Sequence, residues 1–230
     1  EQMDVLSLEN ENIDPKLIKA LNDITPVHPG TKALACSQDR LMEKNQATEL
    51  AIPCGAYYEV NSVEDLSNAM KQLPEGAILK TRREGYDGKG QWRITQKSDL
   101  DAIYAQCQKQ ACIVEALVDF ACECSLITAV DQHGEMRFYP LLKNTHHQGI
   151  LRRSQIGGFD AAIEKQAQHY ACALIKQLDY VGVLAIEFFV TQSGGLWFNE
   201  MAPRVHNSGH LTIEACNVSQ FESHVRAVCG

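Results

Sequence analysis

Two stretches of this chain carry residue types whose spacing could do chemistry. The first is GYDGKGQ (85–91), with three glycines, a Tyr-Asp pair and a lysine in seven residues. It lies between an apolar run, AILK (77–80), and a strand-like WRIT (92–95). Lys80, Arg82, Arg83, Lys89 and Arg93 surround it with positive charge. Glycines between two strands let backbone N–H groups approach phosphate oxygens that a Cβ would hold away. Lys80, at the end of the preceding strand, adds a point charge on the same anion. The spacing is neither the G-x4-G-K-[ST] phosphate loop nor the GxGxxG dinucleotide fingerprint. An ordinary hairpin turn would also use glycines, but the basic frame favours a flap that closes over a polyphosphate.

The second is the pair of runs VLAIEFFV (183–190) and LWFNEMA (196–202) around TQSGG. A loop at 192–195 predicts antiparallel pairs 191 with 196, 189 with 198 and 187 with 200. Glu187 and Glu200 then face each other with Cβ atoms about 4.5–5.5 Å apart, where like charges destabilise. Ala185, Ile186 and Phe188 around them are apolar, unlike a solvated acidic face. A divalent cation resolves the repulsion, because Mg²⁺ serving a nucleotide is held by one or two carboxylates together with phosphate oxygens and water. A slip of one residue would separate the acids.

The same hairpin runs into NEMAPRVHNSGH (199–210). His206 and His210 have the HxxxH spacing of some zinc sites, but that spacing works from one helix face and Asn207-Ser208-Gly209 opposes a helix. The stretch reads instead as a loop that turns Arg204, His206, Asn207 and Ser208 toward an anionic small molecule, Arg being the natural fork for carboxylate or phosphate.

The elements that must position these groups are legible in part. Val5–Leu8 reads as a strand, and Asp14-Pro15 opens a helix to about Leu21. A helix is expected from a Ser37 cap to Leu50, then a strand at Tyr57–Val60 and a helix capped by Ser62 with Val63, Leu66, Met70 and Leu73 on one face. Strands at 77–82 and 91–95 flank the glycine loop, and a helix starts at Ser98. CIVEAL (112–117), ECSLITAV (123–130) and EMRFYPL (135–141) read as strands, and residues 161–178 as an amphipathic helix. Hairpins mixed with helices make the class α+β.

With 230 residues, 45% of them hydrophobic, the chain can bury a sizeable core. Its net charge of −8 argues against a nucleic-acid or membrane surface and leaves room for local basic pockets. Nine cysteines without a CxxC pair read as reduced thiols of a cytoplasmic protein. No apolar run reaches the ~20 residues of a membrane span.

ILKTRREGYDGKGQW, IVEALVDF, FYPLLKNTHHQGILR and NEMAPRVHNSGH with the trailing SQFESHVRA resemble the ATP-grasp core of the N5-carboxyaminoimidazole ribonucleotide synthase family of purine biosynthesis. The resemblance runs over nearly the whole chain. It implies the end of an N-terminal Rossmann-like domain (1–35), followed by ATP between two α+β lobes, a small one with the flap (36–111) and a large one with the metal and substrate site (112–230). Arg40 and Lys80 would contact phosphates, and Gly85, Tyr86, Asp87, Gly88, Lys89, Gly90 and Gln91 would form the flap. Glu115, Ala116, Leu117 and Val118 would be the adenine-side strand, Glu123 would take the ribose, and His146 would belong to the nucleotide site. Glu187 and Glu200, with Asn199 beside them, would hold Mg²⁺. Arg204 and His206, as catalytic residues, would face 5-aminoimidazole ribonucleotide together with Asn207 and Ser208.

The implied reaction uses ATP and bicarbonate to carboxylate that amine through carboxyphosphate, in a homodimer. Alternatives are another purine-pathway ATP-grasp carboxylate–amine ligase, against which the PRVHNSGH loop argues, and a nucleotide-binding fragment without turnover. Against the family pattern, most of the N-terminal domain and the C-terminal domain are expected to be missing, and Cys122 stands where a basic or small polar residue often precedes the family's Glu.

Overall fold

A computed structural model describes residues 3–85, 90–108 and 110–230. In chain order the elements are β1 (Leu6–Ser7), α1 (Pro15–Asn22), β2 (Val27–His28), α2 (Thr31–Ser37), α3 (Arg40–Glu49), β3 (Tyr57–Val60), α4 (Val63–Gln72), β4 (Ala77–Thr81), β5 (Gln91–Ile94) and α5 (Leu100–Gln106). They continue with β6 (Cys112–Ala116), β7 (Phe120–Val130), β8 (Met136–Phe138), β9 (Leu142–His147), β10 (Ile150–Ile156), α6 (Ala161–Leu178), β11 (Gly182–Thr191), β12 (Leu196–Ala202), α7 (Thr212–Ala215) and α8 (Gln220–Cys229). No described helix is long and apolar enough to cross a membrane. All nine cysteines are free thiols.

Two antiparallel sheets make the two lobes of an α+β fold. The smaller has the order β3-β6-β4-β5 and buries Val60, Leu79, Ile94 and Val114 against Leu66 and Met70 of α4 and Tyr104 of α5. Ser62 caps α4, its hydroxyl accepting from the Asp65 N–H at 3.1 Å. The larger has the order β10-β9-β7-β11-β12, with β8 pairing along the remaining half of β7. One of its faces packs on α6 through Ala167, Ala171, Leu174 and Leu178, the stripe expected from helical spacing.

Three expectations differ from the structure. Ser37 does not cap a helix to Leu50; it ends α2, and α3 starts afresh at an Asp39 cap whose carboxylate accepts from the Leu41 N–H. β6 pairs with β3 and β4, so it belongs to the smaller sheet and not with residues 112–230. Ala33 of α2, with Cys36, Ala47 and Ile52 from α2 to just past α3, packs into the larger lobe's core, so residues 36–52 do not go with the smaller lobe. The hairpin β9–β10 has no clean period in the sequence. Its burial along LKNTHH alternates, but the exposed positions of β10 include Ile150 and Ile156.

Candidate active site

The β11–β12 hairpin places Glu187 opposite Glu200 as expected, but by a different route. Near the turn the pairs are Val190 with Leu196, Phe189 with Trp197 and Phe188 with Phe198, one residue off the expected register. A one-residue β-bulge at Asn199 then restores Glu187 to Glu200 and Ala185 to Ala202. The bulge also reverses the alternation of faces. Leu196 and Phe198 point into the core, as does Met201 after the bulge, while Glu200 lines the cleft between the lobes. With strict alternation Glu200 would share the face of Phe198, so the bulge is what brings the carboxylate out of the core.

Helix α3 holds that bulged edge. The Met201 N–H donates to Glu43 Oε1 at 3.0 Å, Lys44 Nζ donates to the Asn199 carbonyl at 2.8 Å, and the Phe198 N–H donates to the Pro53 carbonyl at 2.7 Å. Lys44 also lies 3.1 Å from Glu115 Oε2, and Lys80 lies 3.0 Å from Glu115 Oε1. The three charged groups are buried and link the larger sheet's edge to the smaller sheet. Together they carry one net positive charge beside the cleft.

The cleft has a volume of about 630 Å³, within the range of small-molecule sites. Of the residues expected in it, Arg40, Lys80, Gly85, Gln91, Glu123 and His146 line it. So do Glu187, Asn199, Glu200, Arg204, His206 and Asn207. Arg40 serves the root of the flap: its guanidinium donates to the carbonyls of Thr81 (3.1 Å) and Gly85 (2.9 Å). Gly90 closes that root at φ +67°, where a Cβ would meet the Thr81 hydroxyl at 2.8 Å. The remaining flap residues, Tyr86, Asp87, Gly88 and Lys89, lie outside the described residues.

Glu115, Ala116, Leu117 and Val118 do not line the cleft. Glu115 is engaged by the two lysines, and the Ala116 N–H donates to the Ala56 carbonyl at 2.8 Å. Ser208 does not face the cleft either. It is fully buried and lies 2.8 Å from both Ser125 Oγ and His206 Nδ1. His210 is exposed and stacks on Phe221, apart from His206's contacts.

Electrostatics separates the groups. Burial, then the neighbouring Glu200, pushes the Glu187 carboxyl up to about 8. Two facing acids that cannot both ionise cheaply fit a site for a cation. Among the described residues no three His, Cys, Asp or Glu side chains gather to hold a metal by themselves. A Mg²⁺ ion shared with a polyphosphate needs only the two. Burial and the nearby Arg204 bring the His206 imidazole down to about 4, so it is neutral at physiological pH. His146 is shifted the other way, chiefly by its 2.7 Å contact with Glu123. Arg204 forks onto the Glu11 carboxylate through Nε and Nη2, an internal anion where an external one was expected.

Several site residues were not singled out from sequence. Gln220 is fully buried and brackets the backbone of His206, its Oε1 accepting from the N–H at 3.0 Å and its Nε2 donating to the carbonyl at 2.6 Å. It packs so tightly on Gly209 that no Cβ fits there. Phe120 and Phe189 stack at 4.7 Å on the cleft wall, a flat aromatic surface. Glu11, Glu43 and Lys44 lie in helical or polar stretches with no motif; only burial sets Glu43 and Lys44 apart, and Glu11 is half-buried.

The ATP-grasp domain model matches residues 45–221. The chain is 42% identical over 230 residues to N5-carboxyaminoimidazole ribonucleotide synthase of Pseudomonas aeruginosa, a match that takes in all of this chain and 63% of that protein. N5-carboxyaminoimidazole synthetase from Staphylococcus aureus, complexed with ADP, superposes with a TM-score of 0.94 at 32% identity, over 99% of this chain and 61% of that one. N5-carboxyaminoimidazole synthase from Aspergillus clavatus, in complex with ADP and 5-aminoimidazole ribonucleotide, gives 0.89 at 25% identity, over 98% and 59%. The chain therefore spans about three-fifths of the length of these relatives.

Proposed function

The chain belongs to the ATP-grasp family, and from that premise we propose that it uses ATP and bicarbonate to carboxylate 5-aminoimidazole ribonucleotide in purine biosynthesis. The observation that carries this reading is the Glu187–Glu200 pair facing into the same cleft as Lys80 and the root of the glycine flap. The names and ligands of the three relatives support the choice of substrates.

In this reading the γ-phosphoryl group passes from ATP to a bicarbonate oxygen and ADP leaves. The amine then attacks the carboxyl carbon of carboxyphosphate, inorganic phosphate departs, and the nitrogen loses a proton. Phosphoryl transfer asks a protein for positioning and charge stabilisation, not a covalent nucleophile. Lys80 and the net charge of its triad face the phosphates. Arg40 holds the flap root, and the Phe120–Phe189 wall offers a stacking surface to a purine ring. Glu187 and Glu200 would hold Mg²⁺, which when bound offsets the phosphate charge. Arg204, His206 and Asn207 stand on the acceptor side. Closure of the lobes would keep water from carboxyphosphate. The free thiols suit the cytoplasm, and a homodimer is part of the reading.

ATP with Mg²⁺ should stabilise the protein against heat by about 2.7 kcal/mol at a hundred times its Kd. GTP should do so much less, and a melting curve indifferent to ATP at any concentration would sink the nucleotide reading. ADP release that depends on both bicarbonate and 5-aminoimidazole ribonucleotide tests the full reaction. The same assay separates a second reading, nucleotide binding without carboxylation, which would return a thermal shift with ATP but no ADP.

A further inference from the structure

His206 enters the cleft with Nε2 3.6 Å from Glu187 Oε1, and its other nitrogen turns inward. Behind Nδ1 runs a line of polar side chains for which the reaction above has no use. Ser208 Oγ lies 2.8 Å from Nδ1, and Ser125 Oγ on β7 lies 2.8 Å from Ser208 Oγ. Asn144 Nδ2 on β9 lies 3.0 Å from Ser125 Oγ, and Ser154 Oγ on β10 lies 2.9 Å from Asn144 Oδ1. Ser125 and Ser208 are 0% exposed and Asn144 is 4% exposed. Such a line through a sheet interior is costly unless every member is satisfied.

One contact gives the line its direction. The backbone N–H of Ser208 points at His206 Nδ1 at 3.3 Å, and a backbone amide can only donate. Nδ1 is therefore an acceptor. The Ser208 hydroxyl then donates to Nδ1 and accepts from Ser125, Ser125 accepts from the Asn144 amide, and the Asn144 carbonyl accepts from Ser154. The four hydrogen bonds of the line run in one sense, and the sole ring proton falls on Nε2. We infer that Ser208, Ser125 and Asn144 are positioning residues that hold His206 as the neutral Nε2–H tautomer, so that the cleft meets an N–H donor and not a ring lone pair.

The consequence is chemical. A lone pair on Nε2 would face the Glu187 carboxylate and could take up a metal. An N–H there is compatible with Glu187 and can donate to an acceptor oxygen of the reacting carboxyl or phosphoryl group. The effect on turnover rests on the proposed function; the tautomer does not.

The test is ¹⁵N–¹H correlation spectroscopy of histidine-labelled protein, with His206 assigned by the signal missing in His206→Gln. The expected wild-type spectrum shows an unprotonated Nδ1 and a protonated Nε2. Ser208→Ala keeps the backbone N–H but removes the hydroxyl donor, so it should clearly move the unprotonated Nδ1 signal while the remaining histidine signals stay in place. A wild-type ring protonated on Nδ1, or a folded Ser208→Ala whose Nδ1 signal is unmoved, overturns the inference. Should Ser208→Ala fail to fold, Ser154→Ala at the half-buried far end decides, and an unchanged Nδ1 signal there also overturns it. In active protein, Ser125→Ala should lower kcat about ten- to hundredfold with little change in the KM for ATP. A fixed tautomer in a protein that never carboxylates would instead refute the functional reading and leave the positioning line standing.

Discussion

Replacing Glu187 or Glu200 with Gln is expected to abolish Mg²⁺-dependent ATP turnover and to leave the metal-free protein no less stable than wild type. The loss of turnover follows from their place: a neutral amide is a poor ligand for a hard cation that keeps only one or two protein carboxylates. The stability follows from the field they share. Burial and Glu200 raise the Glu187 carboxyl from 4.5 to about 8, so its ionised form is disfavoured in the folded state. An acid raised in this way is fully tolerated below its unfolded value and costs increasing stability as pH rises toward its folded one. Glu187→Gln should therefore match wild type near pH 4.5 and gain on it up to about pH 8, by at most a few kcal/mol. Metal-free melting temperatures across that range, measured beside the ATPase rate, test both halves. Strong destabilisation with turnover retained would mean that these acids hold the fold and not a cation.

Glu115→Ala should behave in the opposite way, destabilising the protein by about 3–5 kcal/mol, the usual result of stripping one partner from a buried ion cluster. Lys44 and Lys80 would be left facing each other, both below a tenth exposed. For a domain of this size that corresponds to a fall in melting temperature of roughly 6–20 °C. The pH signature is also opposite. Burial works against ionisation of Glu115, but the two ammonium groups more than offset it and hold the carboxyl down at about 2. Its contribution is thus present above 4.5 and is lost as pH falls from there toward about 2. Lys80→Ala is the control, because it leaves Lys44 and Glu115 as a one-to-one pair. It should fold and lose nucleotide affinity, whereas equal instability in the two variants would show that the cluster tolerates no change of charge.

The facing acids could be read from the sequence because a short loop fixes a hairpin to within a residue and two glutamates among apolar neighbours demand an explanation. The bulge could not be. Nothing in the letters FNEM distinguishes a strand that alternates from one that gains a residue at Asn199, and the expected pairing reached the right partners for Glu187 only because the bulge cancels the offset set at the turn. The break between α2 and α3 is not legible in the sequence, because Ser37 is as good a cap by residue type as Asp39; in the fold Asp39 also holds the Arg82 guanidinium at 2.7–3.0 Å. Lys80 was legible as a cation and not as a member of a triad, since Lys44 and Glu115 come to it from distant parts of the chain. Ser208 was legible as polar but not as buried. Its partners lie on β7 and in the loop, more than eighty residues apart for Ser125, a separation that no local pattern records.

The bulged strand β12 is also the last strand of its sheet, and there Glu43, Lys44 and the Pro53 carbonyl occupy the backbone groups of Met201, Asn199 and Phe198. A bare strand edge is an invitation to chain-on-chain polymerisation. Here the residues that aim the acids also leave no free ladder on that side for a foreign strand to copy. At the far edge, β10 is guarded by other means, an irregularity at Arg152 followed by the exposed Arg153. The two ends of the strand order are thus closed to edge-on pairing by different means, side chains of α3 and the Pro53 carbonyl at β12 and an irregularity with a charged residue at β10.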